Sequence, residues 1–493
     1  MTAIVPATDW WEKGQSGRIG SLMEPIDVMQ RLGRWSTGRG PLYLLLATRL
    51  RRLIDEGELP QGALLPPERV FAKILAVGRN TVTAAYVLLE SEGRVVRRQG
   101  SGTRVAGAVA APAPDTTSAP MFLHLLEPDT GVISLACAAP QAAPAEVAAA
   151  LTAIVPELAA AGIGYHPAGH PSLRAAIAER YTRLGAPTSP DRILVTSGGQ
   201  QALSLLARAF VRPGDRVVVE APTYPGALEA FREESAVLAT LPVGFAGFEA
   251  AVRAQRPAFA YFTPAFQNPT GTVLSRLHRQ RIAESAAMVG TMLIADEVLA
   301  DLGFPGEVVP PLAADADSVV SVGSLSKCVW GGLRVGWIRA SAPVIERLTR
   351  LRAVHDLGGS IPVQLAAARL LPDLDRLCRG TAARRESQHD ALLSALADGL
   401  PDWTVPPVRG GQTLWARLPY GDGDSFAQTA LRHGVAVLAG SGLDAAGGSA
   451  DRVRLHFRHS AEVATTAVTR LAAAWQDYRP PERSTRSPAQ LAL

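Results

Sequence analysis

Apolar residues follow a helical period in residues 41–56, where Leu46, Leu50, Leu53 and Ile54 stand at i, i+4, i+7 and i+8, the spacing of one buried helix face. Pro66-Pro67 predicts the opening of a short helix through Leu75, because proline is tolerated in a first turn and disfavours helix before it. Gly78 marks the turn into a third helix over residues 79–90. On it Val82, Ala85, Tyr86 and Leu89 form an apolar stripe, while Asn80, Thr83, Ala84 and Val87 line the opposite face, with Arg79 and Thr81 at its start. Beyond Gly93 the run Arg94-Val-Val-Arg-Arg-Gln-Gly-Ser-Gly-Thr-Arg-Val predicts a two-stranded hairpin turning at residues 99–102. Three helices and a basic hairpin fit a winged helix-turn-helix whose third helix enters a major groove. A structural helical cap with a solvated basic face fits the same periodicity.

Residues 106–120 contain Ala, Pro, Thr and Ser with no period and read as an extended tether. The pattern then changes. Strand-like runs at residues 192–196, 216–220, 259–263, 291–295 and 318–322 alternate with helical stretches, which predicts an α/β domain with a mostly parallel sheet flanked by helices. The resulting division is an amino-terminal segment (1–36), a helix-turn-helix head (37–105), a linker (106–130), an α/β body (131–478) and a tail (479–493) read as disordered.

With 47% apolar and 19% charged residues in 493, the chain has material for large cores, and wholesale disorder is excluded. The longest apolar stretch, residues 132–164, carries Glu146 and Glu157 and is broken by Pro140, Pro144 and Pro156, so it predicts no membrane span. No signal-peptide pattern opens the chain, and Cys137, Cys328 and Cys378 form neither a disulfide framework nor a zinc pattern. A cytoplasmic protein without a metal is expected.

Charge divides unevenly. Residues 1–105 hold 15 Lys+Arg against 10 Asp+Glu, or +5, and the remainder 34 against 35, or −1. A basic head suits a polyanion partner. Only Lys13, Lys73 and Lys327 are lysines. Arginine serves charge roles but cannot form a Schiff base as a deprotonated amine can, so the single lysine of the body is a candidate for that chemistry.

The segments after the strand runs sit where open α/β sheets bind ligands. Thr196-Ser-Gly-Gly-Gln200 leads into a helix whose N–H groups suit a phosphate. Pro222-Thr-Tyr224 offers a stacking ring, Asn268-Pro-Thr-Gly271 an amide donor, and Asp296 a carboxylate for a protonated ring nitrogen. Ser324-Leu-Ser-Lys327, with Arg334 beyond it, adds phosphate ligands and the amine. Together these describe a site for pyridoxal 5′-phosphate.

Leu65-Pro-Pro-Glu-Arg69, Val77-Gly-Arg-Asn-Thr-Val82, Glu92-Gly93 and Arg98-Gln-Gly-Ser-Gly-Thr103 resemble the DNA-binding domain of GntR-type regulators, where Pro67 replaces a frequent serine. The resemblance implies double-stranded DNA as partner and assigns its contacts to Arg69, Arg79, Asn80, Thr81, Thr83, Gln99 and Gly100. The body resembles the class I/II aminotransferases of fold type I through Gly164-Tyr-His-Pro-Ala-Gly169, Leu173-Arg174, the segments above, Gly332-Leu-Arg-Val-Gly-Trp337 and Arg454-Leu-His-Phe. That similarity makes Lys327 the Schiff-base residue, pairs Asp296 with the pyridine nitrogen, and has Asn268 donate to the ring O3′. It gives stacking to Tyr224, phosphate to Gly199, Gln200, Ser324, Ser326 and Arg334, a neighbouring subunit's phosphate to Tyr165, and the substrate α-carboxylate to Arg454.

Two positions depart from the family: Val298 and Leu299 stand where a tyrosine usually donates to O3′, and Phe266 where a histidine is common. Loss of the phenol is expected to raise the aldimine pKa and weaken transaminase turnover. The fusion resembles the MocR subfamily of regulators, implying a homodimer in which pyridoxal phosphate, and an amino compound as effector, alter DNA binding. A working aminotransferase carrying a DNA-binding head is the alternative.

Overall fold

The computed structural model describes residues 25–33, 35–36, 41–55, 58–60, 62–91, 94–98, 102–106 and 131–480. The chain divides into two compact units, Met1–Ala119 and Pro120–Leu493. Gln99 and Gly100, most of the linker and most of the tail lie outside the described residues.

In the head, helices α1 (Pro25–Leu32), α2 (Leu42–Asp55), α3 (Glu68–Ile74) and α4 (Arg79–Ser91) precede strands β1 (Val95–Arg98) and β2 (Gly102–Val105). The α4 stripe of Val82, Ala85, Tyr86 and Leu89 is fully buried with Leu46, Leu50 and Leu53 of α2. Tyr86 satisfies its hydroxyl by donating to the Pro66 carbonyl at 2.8 Å, as a buried phenol must. Pro67 caps α3 from outside its first turn. Strands β1 and β2 pair antiparallel with Arg98 opposite Gly102, so Gly102 belongs to the second strand rather than to the turn. Helix α1 was not foreseen; among its described side chains Val28 and Leu32 are buried in the head core.

In the body, a short strand β3 (Ile133–Ser134) pairs in parallel with residues 435–436, and a seven-stranded sheet has the order β4-β10-β9-β8-β7-β5-β6, from β4 (Ile193–Thr196), β5 (Arg216–Ala221), β6 (Val237–Pro242), β7 (Phe259–Phe262), β8 (Met292–Asp296), β9 (Val320–Ser324) and β10 (Gly336–Arg339). All pairings are parallel except those of β10, which runs against both its neighbours. β4, β7 and β9 are buried throughout, β8 and β5 nearly so, the signature of a sheet covered on both faces. A smaller antiparallel sheet joins residues 413–417, 438–439 and 452–456. Among the described residues no helix is long and apolar enough to cross a membrane.

The reversed strand places the chemistry. Gly336 opens β10 opposite Thr196, the last residue of β4, on one side and Ser324, the last of β9, on the other. The loop after β4, the loop after β9 and the residues entering β10 therefore converge at one point of the sheet edge.

Candidate functional site

At that point the chain is packed too tightly for any side chain. A Cβ on Gly336 would lie 2.6 Å from the Gly198 carbonyl carbon, and Gly198 itself holds φ +113, a conformation open to glycine alone. The helix Gly199–Phe210 begins here with no side chain capping it, leaving its first N–H groups and positive dipole end for an anion. Arg334 adopts φ +51, and its Nη2 would stand 3.1 Å from a Cβ on Gly198. Ser324 Oγ lies 3.0 Å from both the Val335 carbonyl oxygen and Ser326 Oγ, and accepts from the Ser326 N–H at 3.1 Å. The Gln200 side chain turns aside: its Nε2 donates to the Gly226 carbonyl at 2.8 Å, and its Oε1 accepts from the Tyr224 hydroxyl at 3.0 Å. The Gln200 carboxamide is thus engaged at both ends, which leaves its backbone N–H as the group facing the helix N-terminus.

Asp296 ends β8 and is buried. Its Oδ2 accepts from the Tyr261 hydroxyl at 2.7 Å and its Oδ1 from the Val298 N–H at 3.1 Å. Burial raises its pKa, while Tyr261, Val298 and the Lys327 charge oppose the rise. Tyr261 was missed by the sequence reading; the available signal was a phenol in an otherwise apolar central strand, which requires a polar partner.

Lys327 Nζ donates to the Ala138 carbonyl at 2.8 Å. Burial above all, helped by Arg454 and Arg458 and opposed by Cys137 and Asp296, lowers its pKa to about 8, so the neutral amine is accessible near physiological pH. Arg454, buried, donates from Nη2 to the Ala136 carbonyl at 2.5 Å and from Nη1 to Asn268 Oδ1 at 3.0 Å. That fixes the Asn268 amide with its NH2 free to donate elsewhere. Burial lowers the Arg454 pKa to about 10, and its Nε has no partner. Phe266 is buried against Gly410, and Tyr165 is 63% exposed.

In the head, Arg69, Arg79 and Asn80 are exposed, and Thr81 and Thr83 half-buried. Glu68, not singled out from sequence, ties the pieces together. Its Oε2 accepts from Thr83 Oγ1 at 2.8 Å and from Arg79 Nη2 at 3.4 Å, while Oε1 pairs with Arg97 of β1. One carboxylate thus links α3, α4 and the hairpin.

Residues 145–471 match the family of class I and II aminotransferases, and residues 42–105 the gntR family of bacterial regulatory proteins. The chain is 33% identical to aromatic-amino-acid aminotransferase 1 of Thermococcus litoralis, over 69% of this chain and 87% of that protein. It is 30% identical to the uncharacterized HTH-type transcriptional regulator YisV of Bacillus subtilis, over 78% of this chain and 86% of that one. Among solved structures it resembles LysN, the α-aminoadipate aminotransferase of Thermus thermophilus complexed with N-(5′-phosphopyridoxyl)-L-leucine, with a TM-score of 0.67 and 29% identity, covering 73% of this chain and 95% of that one.

The family implies pyridoxal 5′-phosphate, and the residues fit it: a side-chain-free cradle at a helix N-terminus for the phosphate, a buried carboxylate for the ring nitrogen, and a depressed-pKa lysine for the aldehyde. The chain belongs to the class I and II aminotransferase family and carries a GntR-type DNA-binding head, the domain pairing of the MocR regulators.

Proposed function

We propose that this regulator binds pyridoxal phosphate through Lys327 and takes an α-amino compound as effector, as a homodimer whose occupancy alters DNA binding by the head. One observation carries the reading. Lys327 and Arg454 are both held by carbonyls of a single three-residue stretch, Ala138 and Ala136 respectively. The guanidinium thus stands close enough for its charge to act on the amine, and an effector's carboxylate would take over the Arg454 donors now given to Ala136 and Asn268, while Lys327 exchanges its donation to Ala138 for the cofactor aldehyde.

When bound, the cofactor supplies an aldehyde that condenses with a primary amine and a ring that withdraws electrons. In this reading Gly199 and Gln200 N–H, Ser324, Ser326 and Arg334 hold the phosphate, Asp296 keeps the ring nitrogen protonated, Asn268 donates to the ring oxygen, and Tyr224 lies against the ring. Arg69, Arg79, Asn80, Thr81 and Thr83 meet DNA. Effector and DNA influence each other only if one arrangement of the protein binds both better.

A working transaminase remains the second reading, supported by the same Lys327, Asp296 and Arg454. One experiment decides. The protein is titrated onto its own upstream DNA with and without pyridoxal phosphate and a panel of amino acids and amines, and oxoacid-dependent turnover is measured in parallel. A shift in DNA affinity that Lys327→Ala abolishes supports the regulator. Sustained turnover with unchanged DNA affinity overturns it.

A further inference from the structure

Cys328 and Cys378, 50 positions apart in the chain, meet in the body beside Asp301. One ligand atom from each of the three residues lies within 4.8 Å of the other two. We propose that these residues form a binding site for a soft divalent cation, Zn²⁺ by chemistry, one of whose ligands adjoins Lys327 in the chain.

The three groups come from separate, ordered elements. Asp301 lies in the turn after β8, Cys328 is the neighbour of Lys327, and Cys378 sits in the helix Leu374–Gly380. A tetrahedral zinc with sulfur ligands at about 2.3 Å holds two sulfurs about 3.8 Å apart, so closure needs a side-chain adjustment on the order of 1 Å. Thiolates select zinc over magnesium or calcium. Around the ligands lies an orienting shell. Arg180, itself buried, pairs with Asp301 Oδ1 and with Asp375, which fixes the carboxylate and leaves Oδ2 for a metal. Arg385 donates to the Cys378 carbonyl at 3.2 Å and to the Gly303 carbonyl at 2.9 Å, pinning the helix to the strand-end loop.

The charge balance favours the assembly. Two thiols release their protons to solvent as the cation binds, so Zn²⁺ with two thiolates and one carboxylate carries one net negative charge, facing the Arg180 and Arg385 guanidiniums. Water completes the fourth position. Because Cys328 adjoins Lys327, an occupied site clamps the backbone that presents the amine.

The untagged full-length protein is titrated with Co²⁺ alone as a spectroscopic substitute for Zn²⁺. One equivalent per chain is expected to give visible d–d bands and a near-ultraviolet thiolate-to-cobalt band, both bleached by Zn²⁺. Cys328→Ser and Cys378→Ser each cut the thiolate band to about half or less, the double variant removes it, Asp301→Asn weakens Co²⁺ binding by at least about tenfold, and Cys137→Ser changes neither band nor affinity. Circular dichroism verifies folding, and alanine replaces serine where a variant is unstable. A thiolate band undiminished by either cysteine substitution, or surviving both together, or a folded parent that gives none, overturns the proposal.

Discussion

Tyr261 and Asp296 share a 2.7 Å hydrogen bond between neighbouring strands of the central sheet. The strands β7 and β8 are in register with Tyr261 opposite Ile294, so Asp296, two residues on, lies diagonally across on the same face. The phenol stabilises a carboxylate that burial alone pushes toward protonation. Tyr261→Phe should raise the Asp296 pKa further and weaken its pairing with a protonated ring nitrogen. A hydrogen bond to a charged group contributes about 1.5–3 kcal/mol, so pyridoxal phosphate affinity should fall by roughly 10- to 150-fold, measured by equilibrium titration of the cofactor. Unchanged affinity would remove Tyr261 from the site.

The depressed Lys327 pKa sets a pH dependence. Only the neutral amine attacks an aldehyde, and it predominates above about 8. Cofactor uptake, followed by stopped-flow absorbance, should quicken as pH rises and level off above about 8, well below the 10.5 of an ordinary lysine. Arg454 is one of the charges that lower this value, so Arg454→Leu should move the midpoint upward.

Gly336→Ala tests the cradle. The added Cβ would meet the Gly198 carbonyl carbon at 2.6 Å, where backbone cannot yield as a flexible side chain would. Overpacking of this kind costs about 1–3 kcal/mol, a loss that should leave the body folded but displace the phosphate loop. The expected result is weaker cofactor binding by at least about tenfold with a modest fall in Tm; loss of stability without loss of affinity would contradict it.

In the head, Glu68→Gln separates two effects of opposite sign. Removing a negative charge from a basic surface should by itself tighten non-specific DNA binding. Releasing Arg79, Thr83 and Arg97 from their common anchor should weaken the specific complex. The ratio of specific to non-specific affinity is therefore expected to fall by roughly tenfold, about 1.4 kcal/mol. Arg79→Ala should in addition lower the salt slope by about 1 if its guanidinium meets a phosphate.

Elements with strong periodicity were legible. Helix α4 and the strands β4, β5 and β7 fall where apolar spacing put them, because each buries a whole face or both, while β8 and β9 run one and two residues later than expected and take in Asp296 and Ser324, which had been read as following them. Strand β6 escaped notice because it is half-exposed along most of its length and offers no continuous apolar run. Strand β10 is four residues long and begins inside a motif read for its phosphate chemistry. Arg454 came only from the family resemblance, while Lys327, as the single lysine of the body, and Asp296, beside a strand run, could be named from the chain itself. Their second partners could not: Tyr261, the Ala136 and Ala138 carbonyls and the Cys328–Cys378 encounter depend on strand register and long-range packing, which local spacing does not encode.

The reversed direction of β10 has one more consequence. Side chains alternate along a strand, so a slip of a single residue in its pairing would carry Gly336 away from Gly198 and turn Trp337 toward the loop instead. The anion cradle exists only when both edges of this short strand have found their proper partners, so a phosphate ester bound there would act as a proofreader of sheet assembly, rewarding the native alignment over its nearest competitor.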